Sequence, residues 1–351
     1  MNVLIIADAT NESNTGYIIT NFAIKLSQRG FNVSISFKNI DDGPTLKVLN
    51  KFQLTIFKEI ETPLVTDLLL AWNPRTKVIQ TASRIRCKYL AVHFDDNEEI
   101  VFLDHSLPDV QSEERINFLS RMDIMSVINP NIFNLYPTLS AKVLKVVVRP
   151  GMDEEISPMD SDTSSNFKSN RPYVVYTGNI TEYIAEAMLK PLFGFKNALK
   201  KNADCLFLFT GRNYSGMNYS EILPKAVSLG FVKKETLPSV IKGALFGFQP
   251  WAKDNFDLFR FPSKFLDYYA CETPVVTRPF PESCIGFEMK NNVNFYVPGD
   301  NSIGAWSDVF ERALSSNEER LRIGKQSKRD AEGALSWSSS VDNFVNAVIT
   351  L

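Results

Sequence analysis

Histidine is nearly missing from this chain. Only His93 and His105 occur in 351 residues, which leaves no set of imidazoles for a histidine-based metal site. Cysteine is sparse too. Cys87, Cys205, Cys271 and Cys284 are scattered, with no Cys-x-x-Cys pair. No metal-ligand spacing or disulfide framework is written there, and reduced thiols in a cytoplasmic protein are the simplest expectation. Neither sign of charge dominates: 38 Lys and Arg stand against 40 Asp and Glu, a formal net charge of −2. A polyelectrolyte partner such as nucleic acid is therefore not implied. No apolar run approaches the ~18–20 residues of a membrane span, although contact at a membrane surface remains compatible with the sequence. The opening Met1-Asn-Val-Leu-Ile-Ile-Ala-Asp8 has no basic segment and no cleavage pattern, so it reads as a first strand rather than a signal peptide. Also missing is Gly-x-Gly-x-x-Gly, which disfavours a dinucleotide-binding loop and a nicotinamide-dependent dehydrogenase.

What is present is the rhythm of parallel α/β units. The length suggests two domains of ordinary size, and 26 phenylalanines supply core. Val3 to Ala7 is a continuous apolar run, suited to a central parallel strand. A small-residue loop runs to Gly16, helical spacing covers Tyr17 to Arg29, and Gly30 precedes a second strand, Phe31 to Phe37. Gly16 is either a plain turn residue or one that permits close approach. Leu54 to Phe57 and Thr66 to Trp72 read as strands or short buried helices. Tyr89 to His93 is a further strand, ending in His93-Phe-Asp-Asp-Asn-Glu-Glu99. His93 with Asp95 or Asp96 there could orient or deprotonate a hydroxyl. The plainer reading makes the two aspartates caps of an acid-rich helix start. His105 reads as a surface residue. Asn129-Pro130-Asn131 starts another helix, and Val143 to Val148 is a buried strand. Arg149-Pro-Gly151-Met-Asp153 closes residues 1–152 as one domain, and 153–172, rich in Ser, Asp, Thr and Asn, is a linker.

Residues 173–335 repeat the pattern. Tyr173 to Tyr176 is a strand before Thr177-Gly178-Asn179. Glu182 to Leu199 is a helix expected to break or bend at Pro191. Cys205 to Thr210 is a strand before Gly211-Arg212, and Gly230-Phe231-Val232 precedes a short helix. Ala244 to Pro250 reads as a buried strand, followed by a polar loop, Trp251 to Phe259. Pro262 and Ser263 supply a helix start with a capping hydroxyl, the helix runs to Cys271, and Pro274 to Thr277 is the next strand. Arg260 and Lys264 flank that start, and Asp267 shares a helix face with Lys264. Two cations for a diphosphate and a carboxylate one turn on for ribose hydroxyls would suit a nucleotide at a helix N-terminus. A solvated loop with an ordinary helical ion pair is the other reading. Phe295 to Asp300 reads as a last strand and turn, two amphipathic helices follow, and 336–351 is a terminal helix with Trp337 as packing anchor after a serine cap.

The run Pro262-Ser-Lys264-Phe-Leu-Asp267-Tyr-Tyr-Ala270-Cys-Glu-Thr-Pro274-Val-Val resembles the donor-site signature of retaining GT-B glycosyltransferases, glycosyltransferase family 4 and its relatives. There the pattern is Pro-x-Lys, then Glu-Tyr-x-Ala-x-Gly-x-Pro-Val-Val. The ordered fragments Tyr-Thr-Gly-Asn, Phe-Thr-Gly-Arg, Gly-Phe-Val and Phe-Gly-Phe-Gln-Pro extend the resemblance over roughly 150–300. It implies an α/β fold of the GT-B type, with two Rossmann-like domains facing across a cleft: acceptor side in 1–152, nucleotide-sugar side in 173–335, and the terminal helix crossing back to the first. It implies a nucleoside-diphosphate sugar as donor, a UDP-sugar before others, with no metal or other cofactor. Arg260, Ser263 and Lys264 would meet the diphosphate, as would Gly178, Asn179, Gly211 and Arg212. Asp267 would hold the ribose, and Phe231 and Val232 would lie near the base. Gly16 would line the acceptor side, and His93, Asp95 or Asp96 would reach donor sugar or acceptor. The acceptor would be a glycan, a lipid-linked sugar or a protein side chain. The enzyme would be cytoplasmic, with peripheral contact at the inner face of the membrane, and would form an oligomer or pair with another transferase. Three positions depart from the pattern: Glu272 replaces a glycine, Phe259 an upstream glutamate, and Ile180-Thr-Glu182 an Arg or Lys-Gly loop. Phe259 and Glu272 keep open a catalytically inactive GT-B protein that binds nucleotide or assembles with an active partner. An epimerase on the same fold is the remaining rival, disfavoured by the scarcity of histidine.

Overall fold

In a computed structural model the chain forms two compact units. One comprises Met1–Ile156, Leu258–Phe261 and Leu335–Leu351; the other comprises Ser157–Asp257 and Pro262–Ala334. The residues described are 1–60, 64–95, 112–137, 141–152, 169–200, 204–233, 236–250 and 257–351. Asp96, His105, Asp153, most of the expected linker and most of the loop after Pro250 lie outside them.

The first unit is a parallel sheet with helical crossovers. Its elements run β1 Asn2–Thr10, α1 Asn14–Gln28, β2 Asn32–Asn39, α2 Pro44–Lys51, β3 Thr55–Phe57, β4 Val65–Trp72, α3 Thr76–Ala82, β5 Arg86–Phe94, α4 Glu113–Leu119, β6 Ile124–Val127 and β7 Leu144–Val147. The seven strands lie in the order β3-β2-β1-β4-β5-β6-β7. Apolar runs such as Val3–Ala7 and Leu68–Trp72 form strands here because both sheet faces are covered. Leu54–Phe57 and Thr66–Trp72 resolve as strands. Asn129 begins a 3₁₀ turn, Pro130–Leu135, rather than an α-helix.

The second unit runs β8 Tyr173–Thr177, α5 Glu182–Ala198, β9 Leu206–Thr210, α6 Tyr219–Ile222, β10 Ala226–Ser228, α7 Leu237–Lys242, β11 Gly247–Gln249, α8 Lys264–Ala270, β12 Val275–Thr277, α9 Glu282–Ile285, α10 Ile303–Ser315 and α11 Asn317–Ala334. Its five strands lie in the order β10-β9-β8-β11-β12, and all pairings are parallel. The strand expected from Ala244 to Pro250 is shortened to β11. Phe295–Pro298 makes only isolated bridges, Tyr296 to Val276 and Phe295 to Asn291. The helix α5 continues through Pro191 as one helix. Its core is aromatic: Phe195, Phe207, Phe209, Phe248, Trp306 and Phe310 form one contiguous cluster.

The last helix, α12 Trp337–Thr350, belongs to the first unit. Ser336 caps it by accepting from Ser339 N at 3.2 Å. Phe22 of α1 packs edge-on against Phe344 at 5.2 Å and against Trp72 at 5.7 Å. Trp337 and Phe344 are fully buried, and burying each such ring contributes roughly 1.5–3 kcal/mol. Ser340 Oγ donates to Arg149 O at 2.9 Å, and Arg29 pairs with Asp342 at 2.5 Å. The segment 258–261 joins this unit because the Asn129 side-chain amide donates to Leu258 O at 3.0 Å and to Arg260 O at 3.1 Å. Asn131 donates to Leu258 O as well, at 2.8 Å.

Helix termini explain one departure from the family pattern. At the end of α1, Gly30 sits at φ +84°, with Gly30 N on Ser27 O and Phe31 N on Leu26 O. That is a Schellman closure with glycine at its left-handed position. The end of α8 repeats it: Glu272 N bonds Tyr269 O at 2.9 Å and Thr273 N bonds Tyr268 O at 2.9 Å. Here the left-handed residue is Glu272, at φ +54°. A side chain there costs about 1–2 kcal/mol of backbone strain, while its exposed pairing with Lys328 at 3.3 Å returns little. Glu272→Gly is expected to stabilise the protein by about 0.5–1 kcal/mol, after the entropy that glycine adds to the unfolded chain. Urea unfolding checks this; an unchanged or lower midpoint would show that the ion pair outweighs the strain.

Candidate functional site

The strand ends of the second sheet carry the first candidate constellation. Gly178 follows β8 at φ +119° and Gly211 follows β9 at φ +96°, values that favour glycine. The two are packed together: a Cβ on Gly211 would stand 2.5 Å from the carbonyl of Gly178. Backbone bonds lock the neighbouring loops. Gly178 N donates to Thr210 O at 3.2 Å, Gly211 N to Gly230 O at 2.7 Å and Ile180 N to Arg212 O at 2.8 Å. Asn179 Oδ1 accepts from Arg212 N at 3.0 Å. The side chain of Lys264 lies across Gly178, where any Cβ would collide with its stem. Its ammonium stands 5.9 Å from the centroid of the Tyr176 ring. The surface around it carries exposed Asn179 and Arg212 and the ring of Phe231, which is 70% exposed. Val232 follows, half-buried.

Lys264 is held in place by the helix it starts. The Tyr268 hydroxyl accepts from Thr177 N at 3.1 Å and faces the carbonyls of Val175 and Phe248 at 3.3 Å each. Burial pushes this phenol well above its ordinary pKa, so it remains a donor at neutral pH. Asp267 is half-buried, one turn beyond Lys264. The helix has only seven residues, and Ser263 makes no side-chain cap. The expected capping hydroxyl is therefore not formed, and the cationic side chains, rather than a helix terminus, are the charge available to a phosphate. Arg260 falls in the first unit, on the segment that Asn129 holds. Lys264 and Arg260 thus belong to different units.

The second constellation lies at the C-terminal end of β5. His93 is 1% exposed and lies 3.9 Å, centroid to centroid, from the Trp72 ring. Its Nε2 meets Asp95 Oδ1 at 3.0 Å, and its Nδ1 meets Ser126 Oγ at 2.9 Å. Asp95 Oδ2 accepts from Trp72 Nε1 at 2.9 Å and from Asn73 Nδ2 at 3.0 Å. Burial alone would push the Asp95 carboxyl up. The bonds from His93, Trp72 and Asn73 outweigh it and hold the group below its ordinary 3.8. An ionised Asp95 only accepts, so Nε2 carries a proton. Both ring nitrogens are then engaged by protein, and of the two roles expected of His93 with Asp95, orienting or deprotonating a hydroxyl, the geometry offers a positioned imidazole. Asp95 follows β5 in a bend, and the residues that its helix-cap reading would need lie outside those described.

Gly16 has a local explanation. A Cβ there would run into the backbone carbonyls of Thr10 and Asn11, so the close approach it permits is to its own loop. The sequence alone assigns no site role to Ser126, Asn73 or Tyr268 and reads Asn129 only as a helix start; each acts through a pairing set by the fold. Thiol chemistry has little support, since burial pushes Cys205 and Cys271 up to about 12. Among the described residues no group of three or more His, Cys, Asp or Glu is placed to hold a metal ion, and no helix is long and apolar enough to cross a membrane.

No protein-family model matches the chain, and no curated protein is similar to it in sequence. Solved structures are similar in fold. HepE of Anabaena in complex with UDP-glucose is 12% identical, covers 100% of each chain and gives a TM-score of 0.70. A glycosyltransferase from Rickettsia africae is 12% identical over 98% of this chain and 97% of its own, at 0.64. Sucrose-phosphate synthase from Thermosynechococcus elongatus is 11% identical over 100% and 98%, at 0.62. At these identities the likeness is one of fold: two parallel α/β units of the GT-B type, as the resemblance in the sequence implied.

The buried cluster predicts a pH dependence. Because the folded pKa of Asp95 is depressed, its stabilisation is fully present above about pH 4 and is lost as pH falls through the folded value. Asp95→Asn should destabilise the protein by about 1–3 kcal/mol at pH 7, and the gap to the wild type should narrow below about pH 3.8. Urea titrations across that range test this; a gap that is constant down to the acid limit would mean the carboxylate is not the stabilising species.

Proposed function

We propose that this chain is a nucleotide-sugar-dependent glycosyltransferase that uses a UDP-sugar and retains the configuration at the transferred carbon. The observation that carries the reading is Lys264 laid across Gly178 beside Gly211, at the strand ends where parallel α/β sheets take ligands. The whole-chain likeness of fold to HepE solved with UDP-glucose supports the same reading. Lys264 and Arg212 hold the diphosphate, Asp267 takes the ribose hydroxyls and Phe231 stacks on the base. As the bond from sugar to diphosphate breaks, charge gathers on the leaving phosphate, and the ammonium and guanidinium stabilise it there. His93, fixed by Asp95 and Ser126, acts as a positioning residue for the group that receives the sugar, which is a glycan, a lipid-linked sugar or a protein side chain.

A second reading is favoured by two observations: both nitrogens of His93 are bound by protein, and Phe259 stands where the family carries a glutamate. In that reading the chain binds nucleotide without turnover and works as the partner of an active transferase.

Calorimetric titration with UDP, GDP, ADP and CMP separates these. UDP is expected to bind in preference to the others, and Lys264→Ala to weaken it by about 1.5–3 kcal/mol with little change in thermal stability. Hydrolysis or transfer from a UDP-sugar then supports the transferase, and binding without turnover supports the partner protein. No binding to any nucleotide would overturn both.

A further inference from the structure

The first unit holds a cavity that the donor reading does not use. Its volume is about 370 Å³, within the usual range of ligand pockets, about 300–1,000 Å³. It lies on one face of the sheet, beside α3. Along β1 and β2, Ile5, Ala7, Ile35 and Phe37 belong to the core cluster that also holds α1 and α12 residues. By strand alternation, Ile6, Asp8, Ser36 and Lys38 project from the other face. These four line the cavity, with Lys77, Gln80, Thr81 and Arg84 from α3 and the turn after it, and Lys58 and Glu59 from the segment beyond β3.

The charges there are unbalanced. Four cations, Lys38, Lys58, Lys77 and Arg84, share the walls with two carboxylates, Asp8 and Glu59. Lys38 pairs with Asp8 at 3.4 Å. Among the described residues no ion pair is formed by Lys58, Lys77 or Arg84. The three come from two separate stretches of chain, Lys58 from beyond β3 and Lys77 and Arg84 from α3 and its following turn, and line one concavity, which a merely solvated helix face would not require. Hydroxyls of Ser36 and Thr81 and the amide of Gln80 add neutral donors and acceptors of the kind that meet sugar hydroxyls. A single phosphate or carboxylate would find several charge-assisted donors here, with room beside it for a sugar ring.

We propose that this cavity binds a saccharide carrying a phosphate or carboxylate group. That the bound saccharide is the acceptor rests on the transferase reading; the binding itself does not.

The test is calorimetry on the full chain with glucose 1-phosphate, glucuronate and glucose. Each is titrated with saturating UDP present, and again in a Lys264→Ala background without nucleotide, so that a sugar phosphate cannot be counted at the diphosphate site. The anionic sugars are expected to bind and glucose not to bind. The double variant Lys77→Ala/Arg84→Ala should weaken the anionic ligand about tenfold or more, with an unchanged far-ultraviolet circular dichroism spectrum. Tighter binding of glucose 1-phosphate than of glucuronate assigns a phosphate, and the reverse a carboxylate. Absence of anion binding, equal binding of glucose, or full affinity in the double variant overturns the proposal. Anion binding that survives in a protein that ignores UDP would sink the transferase reading and leave the pocket standing.

Discussion

The phenol of Tyr268 is the joint on which the second unit's surface depends. It sits between the two central strands, accepts from Thr177 N, and faces the carbonyls of Val175 and Phe248. Through it a helix of seven residues, too short to be stable by itself, is pinned beneath the ends of β8 and β11. Lys264 opens that helix, so the position of its ammonium is inherited from a buried hydrogen bond four residues away. Without the phenol the side chain across Gly178 would be a flexible surface lysine. An unpaired hydroxyl at that depth would itself cost about 1–3 kcal/mol, so the joint stabilises the fold and positions the cation at once.

Much of this was legible in the sequence, and for a definite reason. Continuous apolar runs specify strands buried on both faces, and they mark β1, β5, β8 and β9 without help from context, whereas the run that became β4 also suited a short buried helix. Gly178 and Gly211 announce backbone conformations that few other residues adopt. Local signals failed where tertiary partners decide. Ser263 has the chemistry of a cap, yet it makes none. Asn129 has the chemistry of a helix start, and it does cap a 3₁₀ turn by accepting from Asn131 N at 3.0 Å. Its more consequential bonds run to Leu258 and Arg260, more than a hundred residues on. Nothing in the local pattern around 129 or 260 gives that pairing, and it is what assigns Arg260 to the first unit.

Glu272 shows how a departure from a family pattern can be read physically. The glycine expected there is a requirement of the helix terminus, since the position is left-handed in this chain too. It stands at the far end of α8 from Lys264, about 10 Å along a helix of this length. Its substitution therefore bears on the stability of the Schellman closure rather than on the surroundings of Lys264. Phe259 is a different kind of departure, because it removes a carboxylate and leaves no structural compensation visible among the described residues.

The two polar constellations follow opposite electrostatic rules. Around His93 both ring nitrogens and both oxygens of Asp95 meet a protein partner. Such a network fixes one geometry and leaves little capacity to bind anything further. Around Gly178 and Gly211, and again beside α3, cations stand at the surface with hydroxyls and amides nearby and few carboxylates to neutralise them. Beside α3, Lys58, Lys77 and Arg84 form no ion pair among the described residues, and charge left so in a concavity is charge kept for a ligand. On that ground anion binding is proposed for the α3 cavity, as it is for the second unit's strand ends on the lie of Lys264 across Gly178, and orientation is proposed for the His93 cluster.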